Sequence, residues 1–282
     1  MKVKIIRVKE VLTPSGLPDI DWAFNPYVGC LHGCVYCYGR DYTRDKEVAR
    51  YWGEVVCIKE NAVNLLRREV KRKKLGVVGV GTITDAYQPI ELEYELTKSS
   101  LKVLLSSGFS ISIQTKSDLI LRDKELLSKY RSRVDVGVTI TTMNESIAKL
   151  LEPNAPPPSR RAMVLDELSR LGISTWVFLG PIVPGFTDDL NTIREVVEVA
   201  ASTNSELYYD KLRVKNFMLT HDHPLHQAAR KALRYKWRKL FKVITDVCRR
   251  YNIKCGIGLD YSKSGNEETR TVVGLDEFAK KQ

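Results

Sequence analysis

Apolar runs of β character alternate along the chain with segments whose hydrophobic residues recur at helical spacing, a pattern that predicts a parallel α/β fold. The predicted strands are Val77 to Ile83, Ser110 to Thr115, Val134 to Thr141 and Ser174 to Leu179, with one before Cys30 and one or two between Leu207 and Ile257. Between them, Ala62, Val63, Leu65, Leu66 and Val70 make one helical face. Leu92, Leu96, Leu101, Leu104 and Leu105 make a second, and Ile193, Val196, Val197 and Ala200 a third. About six βα units result, fewer than the eight of a closed barrel, so the expected architecture is a partial (β/α)6 barrel with a lateral mouth. Ligands in such folds meet at the carboxyl ends of the strands. Thr84-Asp85, Gln114-Thr115-Lys116, Thr139 to Thr142 and Gly180-Pro181-Ile182-Val183-Pro184-Gly185 all fall there.

A long helix is predicted from His223 to Tyr251, with Pro224 in its first turn and Asn252 past its end. At roughly 100° per residue, Leu233, Trp237, Leu240, Ile244, Val247, Cys248 and Tyr251 share one face, while Lys231, Arg234, Arg238 and Lys242 line the other. That stripe suits a solvated face or a track for a phosphate backbone. The excess of 45 Lys and Arg over 34 Asp and Glu, a formal +11, favours an anionic partner such as nucleic acid. A second basic run, Arg67 to Lys74, closes an earlier helix, where cations suit the helix dipole. His221, His223 and His226 do not share one helical face, so capping or surface roles are expected in place of a second metal site.

With 282 residues, 43% of them hydrophobic, the chain can bury one substantial core, and no Pro/Gly/Ser-rich linker divides it. A single domain is expected, with its core over about residues 20 to 260 and a polar tail from Ser264 to Gln282 that folds over the barrel mouth or stays free. No apolar run reaches the length of about eighteen residues that a membrane span needs, and Met1 to Arg7 is too short and charged for a signal peptide. A cytoplasmic location, with no membrane partner, is the expectation.

The most specific chemistry lies in Asn25-Pro26-Tyr27-Val28-Gly29-Cys30-Leu31-His32-Gly33-Cys34-Val35-Tyr36-Cys37-Tyr38, where Cys30, Cys34 and Cys37 stand at C-x3-C-x2-C spacing. Iron–sulfur cubes normally take four thiolates, so three local cysteines leave one iron open. Zinc is the competing reading, with His32 pointing to a mixed site, but the spacing matches no common zinc pairing. Of the other three cysteines, Cys57 and Cys255 lie in apolar stretches and Cys248 on the apolar helical face, and all read as core packing in a reducing compartment.

This loop resembles the signature of the radical S-adenosylmethionine superfamily. Tyr36 and Tyr38 around Cys37, Thr84-Asp85 within Gly81 to Glu91, and Leu151 to Arg161 resemble the spore photoproduct lyase-like family in particular. The resemblance implies a partial barrel, a [4Fe-4S] cluster on Cys30, Cys34 and Cys37, and S-adenosyl-L-methionine chelated by the open iron. It also implies a reductase or other electron donor, and cleavage of the cofactor to a 5'-deoxyadenosyl radical that abstracts hydrogen. By the same resemblance Thr84 and Asp85 accept from the methionine ammonium and Tyr36 and Tyr38 serve in hydrogen transfer. Asp85 as a turn cap, Tyr36 as packing and Tyr38 bonded to a backbone carbonyl are the plainer roles.

The cofactor's own chemistry adds Lys116 as a donor to its carboxylate, Thr139 as a strand-end hydrogen-bonding group, and Ile182 and Val183 as an apolar wall for adenine. A solvated Lys116 and a packed Thr139 are the alternatives. Arg160 and Arg161 are candidates to grip a carboxylate or phosphate, since cations oppose the dipole at a helix start. One departure from the lyase matters: its hydrogen-donating cysteine corresponds to Thr82, whose hydroxyl cannot replace a thiol. That argues against repair of thymine dimers by the lyase mechanism, unless Cys57 or Cys255 enters the pocket. The expected function is therefore radical chemistry on an anionic substrate, with nucleic acid or nucleotide favoured and a methylation or other carbon-bond-forming reaction open. The rival is a non-catalytic iron–sulfur or zinc protein that binds nucleic acid.

Overall fold

The computed structural model describes residues 1–258; the expectation for the tail from Ser264 onward lies outside them. Its strands are β1 (Lys2–Ile6), β2 (Leu12–Pro14), β3 (Trp22–Phe24), β4 (Tyr27–Val28), β5 (Val55–Lys59), β6 (Val77–Val80), β7 (Ser110–Thr115), β8 (Val134–Thr139), β9 (Ser174–Ile182), β10 (Glu206–Lys211) and β11 (Cys255–Ile257). Among the described residues, eight of them form one sheet in the order β11-β10-β9-β8-β7-β6-β3-β2. Every pairing from β3 to β11 is parallel, and only β2 runs antiparallel, against β3. Strand order follows chain order, as expected of successive βα crossovers, and among the described residues β2 and β11 do not pair, so the barrel they form is open. The partial α/β barrel is therefore as expected, with β10 and the short edge β11 supplying the strands expected between Leu207 and Ile257.

Period-two alternation decides what the barrel encloses. Ile111 and Ile113 of β7, Val136 and Val138 of β8, Val177 and Leu179 of β9, and Leu207 of β10 are buried in the main core. They pack there with the helices Leu96–Ser106, Pro158–Arg170 and Leu190–Ser202. The alternate positions, Ser112, Gln114, Asp135, Trp176, Phe178 and Tyr208, line a central cavity. Space for these rings comes from glycine: a Cβ on Gly137 would stand 2.2 Å from the Trp176 indole, and one on Gly180 or Gly258 would stand 2.6 or 2.7 Å from the Phe178 ring.

A second sheet, β1-β5-β4, was not legible in the sequence pattern. It pairs Tyr27 and Val28 with Ile58 and Cys57, and so fixes the segment that enters the cysteine loop. Tyr27, Val56 and Ile58 bury against Leu31 of that loop.

Three sequence expectations are corrected. The helical face beginning at Leu92 breaks at Glu95, which takes φ 47° between the helices Glu91–Tyr94 and Leu96–Ser106, and Leu92 is exposed. The helix expected from His223 to Tyr251 is two, His226–Ala232 and Trp237–Arg250. Trp237 Nε1 donates to the Ala232 carbonyl and Tyr235 is drawn to Asp188, so the chain turns at 233–236 and Leu233 lies 65% exposed, off the shared apolar face. Cys248 and Cys255, read as separate packing residues, are joined in a disulfide between the last helix and β11, with Cα atoms 6.3 Å apart. No helix among the described residues is long and apolar enough to cross a membrane.

The tight seat of Trp176 gives a stability test. Gly137→Ala should destabilise the fold by about 1–3 kcal/mol through overpacking, seen as a lower denaturant midpoint at unchanged slope. An unchanged midpoint would show that the indole moves aside freely.

Candidate active site

The cysteine loop is held by its backbone from two remote segments and packed closely at Gly29. Gly29 takes φ 90° because a Cβ there would stand 2.7 Å from the Val48 side chain and 2.8 Å from the Val55 carbonyl. From the turn after β6, Thr84 Oγ1 donates to the Gly29 carbonyl at 2.5 Å, Gln88 Nε2 donates to the same oxygen at 3.1 Å, and Gln88 Oε1 accepts from Leu31 N at 2.8 Å. From the segment 151–154, the Leu151 carbonyl accepts from Val35 N at 2.9 Å, Asn154 N donates to the His32 carbonyl at 3.1 Å, and Asn154 Nδ2 donates to the Leu31 carbonyl at 3.0 Å. The Thr-Asp-Ala-Tyr-Gln and Leu-Glu-Pro-Asn blocks thus converge on one loop.

The loop presents Cys30, Cys34 and Cys37 as free thiols to the central cavity, whose volume is about 500 Å³. Burial raises all three thiol pKa values, that of Cys34 to about 12, so a bound metal must displace their protons. Three soft sulfur donors on a tight loop suit an iron–sulfur cluster. Among the described residues no three His, Cys, Asp or Glu side chains are placed to hold a single metal ion.

Beside the thiols lies a buried charge system. Arg161 Nη1 stands 2.5 Å from Glu152 Oε2, both side chains being essentially inaccessible, and Arg161 also donates to the Pro156 and Thr139 carbonyls. Tyr36 donates its hydroxyl to the same Glu152 carboxylate. Burial alone would raise the Glu152 pKa, but the Arg161 and Lys116 cations outweigh it and hold the value below the ordinary carboxylate range. Lys116 leans over the Tyr36 ring, 5.8 Å from its centroid, and its ammonium has no hydrogen-bond or ion-pair partner among the described residues. Burial would lower its pKa, yet Cys34 and Glu152 more than compensate and keep it protonated.

Other candidates carry structural duties. Asp85 accepts from Tyr87 N, Thr115 Oγ1 and Lys116 N at 2.9, 2.7 and 2.8 Å, so it caps its own turn and ties the end of β6 to that of β7. Thr84 pins Gly29, and Thr139 accepts from Gln114 at 3.1 Å while remaining on the cavity wall. Tyr38 donates to the Thr82 carbonyl at 2.8 Å and stays 39% exposed at the mouth.

Ile182 and Val183, expected as an adenine wall, are instead fully buried in packing clusters, and the cavity is lined there by Gly180 and Pro181. Arg161 is committed to Glu152, and Arg160 is exposed and paired with Asp118, so neither is free to grip a ligand. Cys57 faces Asp45 under the small sheet and Cys255 is in the disulfide; neither lines the cavity to replace the thiol missing at Thr82. His223 and His226 bond loop backbone, in keeping with capping roles.

Glu152, Gln88 and Asn154 were missed by the sequence reading. A glutamate directly after Leu150-Leu151, with arginines eight and nine residues on, was the available signal for a buried pair.

Comparison with known proteins agrees with this geometry. A protein of Methanocaldococcus jannaschii of unassigned function is 32% identical over 76% of this chain and 80% of its own length. A protein of Acidianus two-tailed virus is also 32% identical, over 63% of this chain and 59% of its own length. Among solved structures, spore photoproduct lyase complexed with dinucleoside spore photoproduct superposes with TM-score 0.63 at 12% identity, covering 88% of this chain and 78% of the lyase. A radical SAM methyltransferase from Sphaerobacter thermophilus gives TM-score 0.55 at 14% identity, covering 89% of this chain and 70% of that one. These likenesses establish the fold. The family model of the radical SAM superfamily matches residues 24–200, from β3 through the helix after β9. Open parallel barrel, three-thiol loop and family match together make this chain an enzyme of the radical SAM superfamily, whose members use S-adenosylmethionine and an iron–sulfur cluster.

Proposed function

We propose that Cys30, Cys34 and Cys37 hold a [4Fe-4S] cluster, that S-adenosylmethionine occupies the cavity beside it, and that the substrate is a nucleic acid or nucleotide. The reading rests on the unpaired Lys116 ammonium, which opens into the same cavity as three free thiols at the carboxyl ends of β6 to β8. A half-buried cation without a hydrogen-bonded anion bears part of the desolvation cost, and the cofactor's carboxylate supplies that anion. When bound and reduced, the cluster and cofactor supply a 5'-deoxyadenosyl radical able to abstract hydrogen. The chain's own residues position and enclose it: the Gly29 and Gly33 turns fix the sulfurs, while Tyr36, held by Glu152, places an aromatic face beside the Lys116 ammonium. Tyr38, at the mouth, is the tyrosine open to hydrogen transfer.

The nucleic-acid assignment draws on two features. Trp176, Phe178 and Tyr208 line the far side of the cavity and offer aromatic faces to a planar base. On the outer surface Lys231, Arg234, Arg238 and Lys242 are exposed across the two last helices. Among the described residues Arg234, Arg238 and Lys242 have no acidic partner, while Lys231 lies 3.7 Å from Asp188 in the loop after β9. An external electron donor completes the system.

Anaerobic reconstitution with iron and sulfide, followed by dithionite and S-adenosylmethionine, should yield 5'-deoxyadenosine and methionine by chromatography, faster with nucleic acid present. A loaded, reduced protein that leaves the cofactor intact with every nucleic acid tried would overturn the proposal. Lys116→Met should keep its iron content and bind S-adenosylmethionine about ten- to a hundredfold more weakly, the worth of one hydrogen bond to a charged group. Unchanged affinity would remove Lys116 from the cofactor site. Arg234→Glu with Arg238→Glu should weaken nucleic-acid binding and reduce its salt slope by about two phosphate contacts; an unaltered slope would return that face to solvent.

A further inference from the structure

His32 stands between Cys30 and Cys34, is 1% exposed, and lines the central cavity. Neither of its ring nitrogens has a hydrogen-bond partner among the described residues. Its backbone is fixed against the scaffold: its carbonyl accepts from Asn154 N, the preceding Leu31 is held at both N and O by Gln88 and Asn154, and the following Gly33 takes φ 65°. A buried polar group left unpaired bears its full desolvation penalty, so an orphaned imidazole held in place indicates a partner that arrives with the bound group.

The neighbouring protein groups do not supply that partner. Nε2 lies 3.9 Å from Asp85 Oδ2, beyond hydrogen-bond reach, and the Asp85 carboxylate already accepts from Tyr87 N, Thr115 Oγ1 and Lys116 N. Glu152, the other nearby carboxylate, is engaged by Tyr36 and Arg161. Lys116 and Arg161 are cations without acceptor capacity. The acceptors that remain on the same loop and the same cavity wall are the sulfurs of Cys30, Cys34 and Cys37 and of whatever they ligate.

Resting on the cluster reading above, we propose that His32 donates an imidazole N–H to a sulfur of the cluster held by Cys30, Cys34 and Cys37. It acts as a positioning residue that sets how readily the cluster accepts an electron. Hydrogen bonds to cluster sulfurs stabilise the more negative, reduced state and so raise the reduction potential. His32 is then not a fourth ligand, and the open iron stays available.

The test uses the full-length protein, reconstituted anaerobically without S-adenosylmethionine, as wild type, His32→Phe and His32→Gln. Iron and sulfide content report loading, circular dichroism reports folding, and a redox titration followed by electron paramagnetic resonance reports the potential. A loaded His32→Phe protein with a lower potential is the expected result. The expected size is about a tenfold smaller ratio of reduced to oxidised cluster at fixed poise, equivalent to about 59 mV for one electron. His32→Gln, which keeps an N–H donor, should recover at least half of that shift. If His32→Phe does not load but His32→Gln loads at the wild-type potential, the donor role also stands. A loaded His32→Phe with the wild-type potential and spectrum overturns the inference while leaving the cluster reading intact. Folded variants that both fail to load make His32 a ligand and overturn it as well. Failure of the wild type to load would instead sink the cluster reading on which the inference rests.

Discussion

The site depends on backbone hydrogen bonds that fasten one irregular loop to the ends of a parallel sheet. Carbonyl and amide groups in a buried loop must find partners, and this loop, with two left-handed glycines, meets only some of them within itself, as in Gly33 N to the Cys30 carbonyl and Cys37 N to the Cys34 carbonyl. Others come from two remote segments, the turn after β6 and the stretch after the helix Glu145–Leu151. Each of those segments is in turn fixed by the sheet: Asp85 is locked to the end of β7, and Arg161 bonds the last carbonyl of β8. The loop geometry is therefore a property of the barrel, not of the fourteen residues that carry the cysteines.

Charge balance is built around the same place. Tyr36, Glu152 and Arg161 form a buried triad in which the carboxylate is matched by a cation and a hydroxyl, so it adds no net charge. Ion pairs of this kind contribute little to stability beyond avoiding an uncompensated charge, and are better understood as fixing a unique arrangement. What they fix is the floor under Lys116. Lys116 and His32 both present polar groups without a hydrogen-bond partner beside the thiols, which suits a pocket made for an anionic cluster and a carboxylate-bearing cofactor.

Strand alternation gives the cavity two kinds of wall. Near the cysteine loop the lining is polar and sulfur-bearing; Trp176, Phe178 and Tyr208 of β9 and β10 add rings beside the charged Glu206 and Asp210, with each ring laid close over a glycine. Removing Cβ atoms from strands costs backbone entropy, so the glycines make sense as places where another group approaches closely. The break at 233–236 likewise follows from side chains, since Trp237 closes one helix and Tyr235 reaches the loop after β9, a connection no helical period predicts.

Much of this was legible in the chain itself. Hydrophobic period gave β7 over Ser110 to Thr115, covered β6 and β8 while running two or three residues past their ends, and stopped three residues short in β9, because strands packed under helices need apolar residues at every second place. Cysteine spacing and its two companion blocks gave the family, because ligand spacing on a tight loop is a local property. Other features rested on pairing between segments far apart in sequence. The small sheet, the burial of Arg161 with Glu152, the commitment of Asp85 and Thr84 to scaffold bonds and the retreat of Ile182 and Val183 into packing were all of that kind. Sequence by itself determined which elements form and which chemistry the loop can bear; tertiary structure alone decided which polar groups are already satisfied and which, as with Lys116 and His32, still face the cavity unpaired. The reason is that a hydrogen bond is spent on whichever partner the fold brings within about 3 Å, and that distance is not written in spacing along the chain.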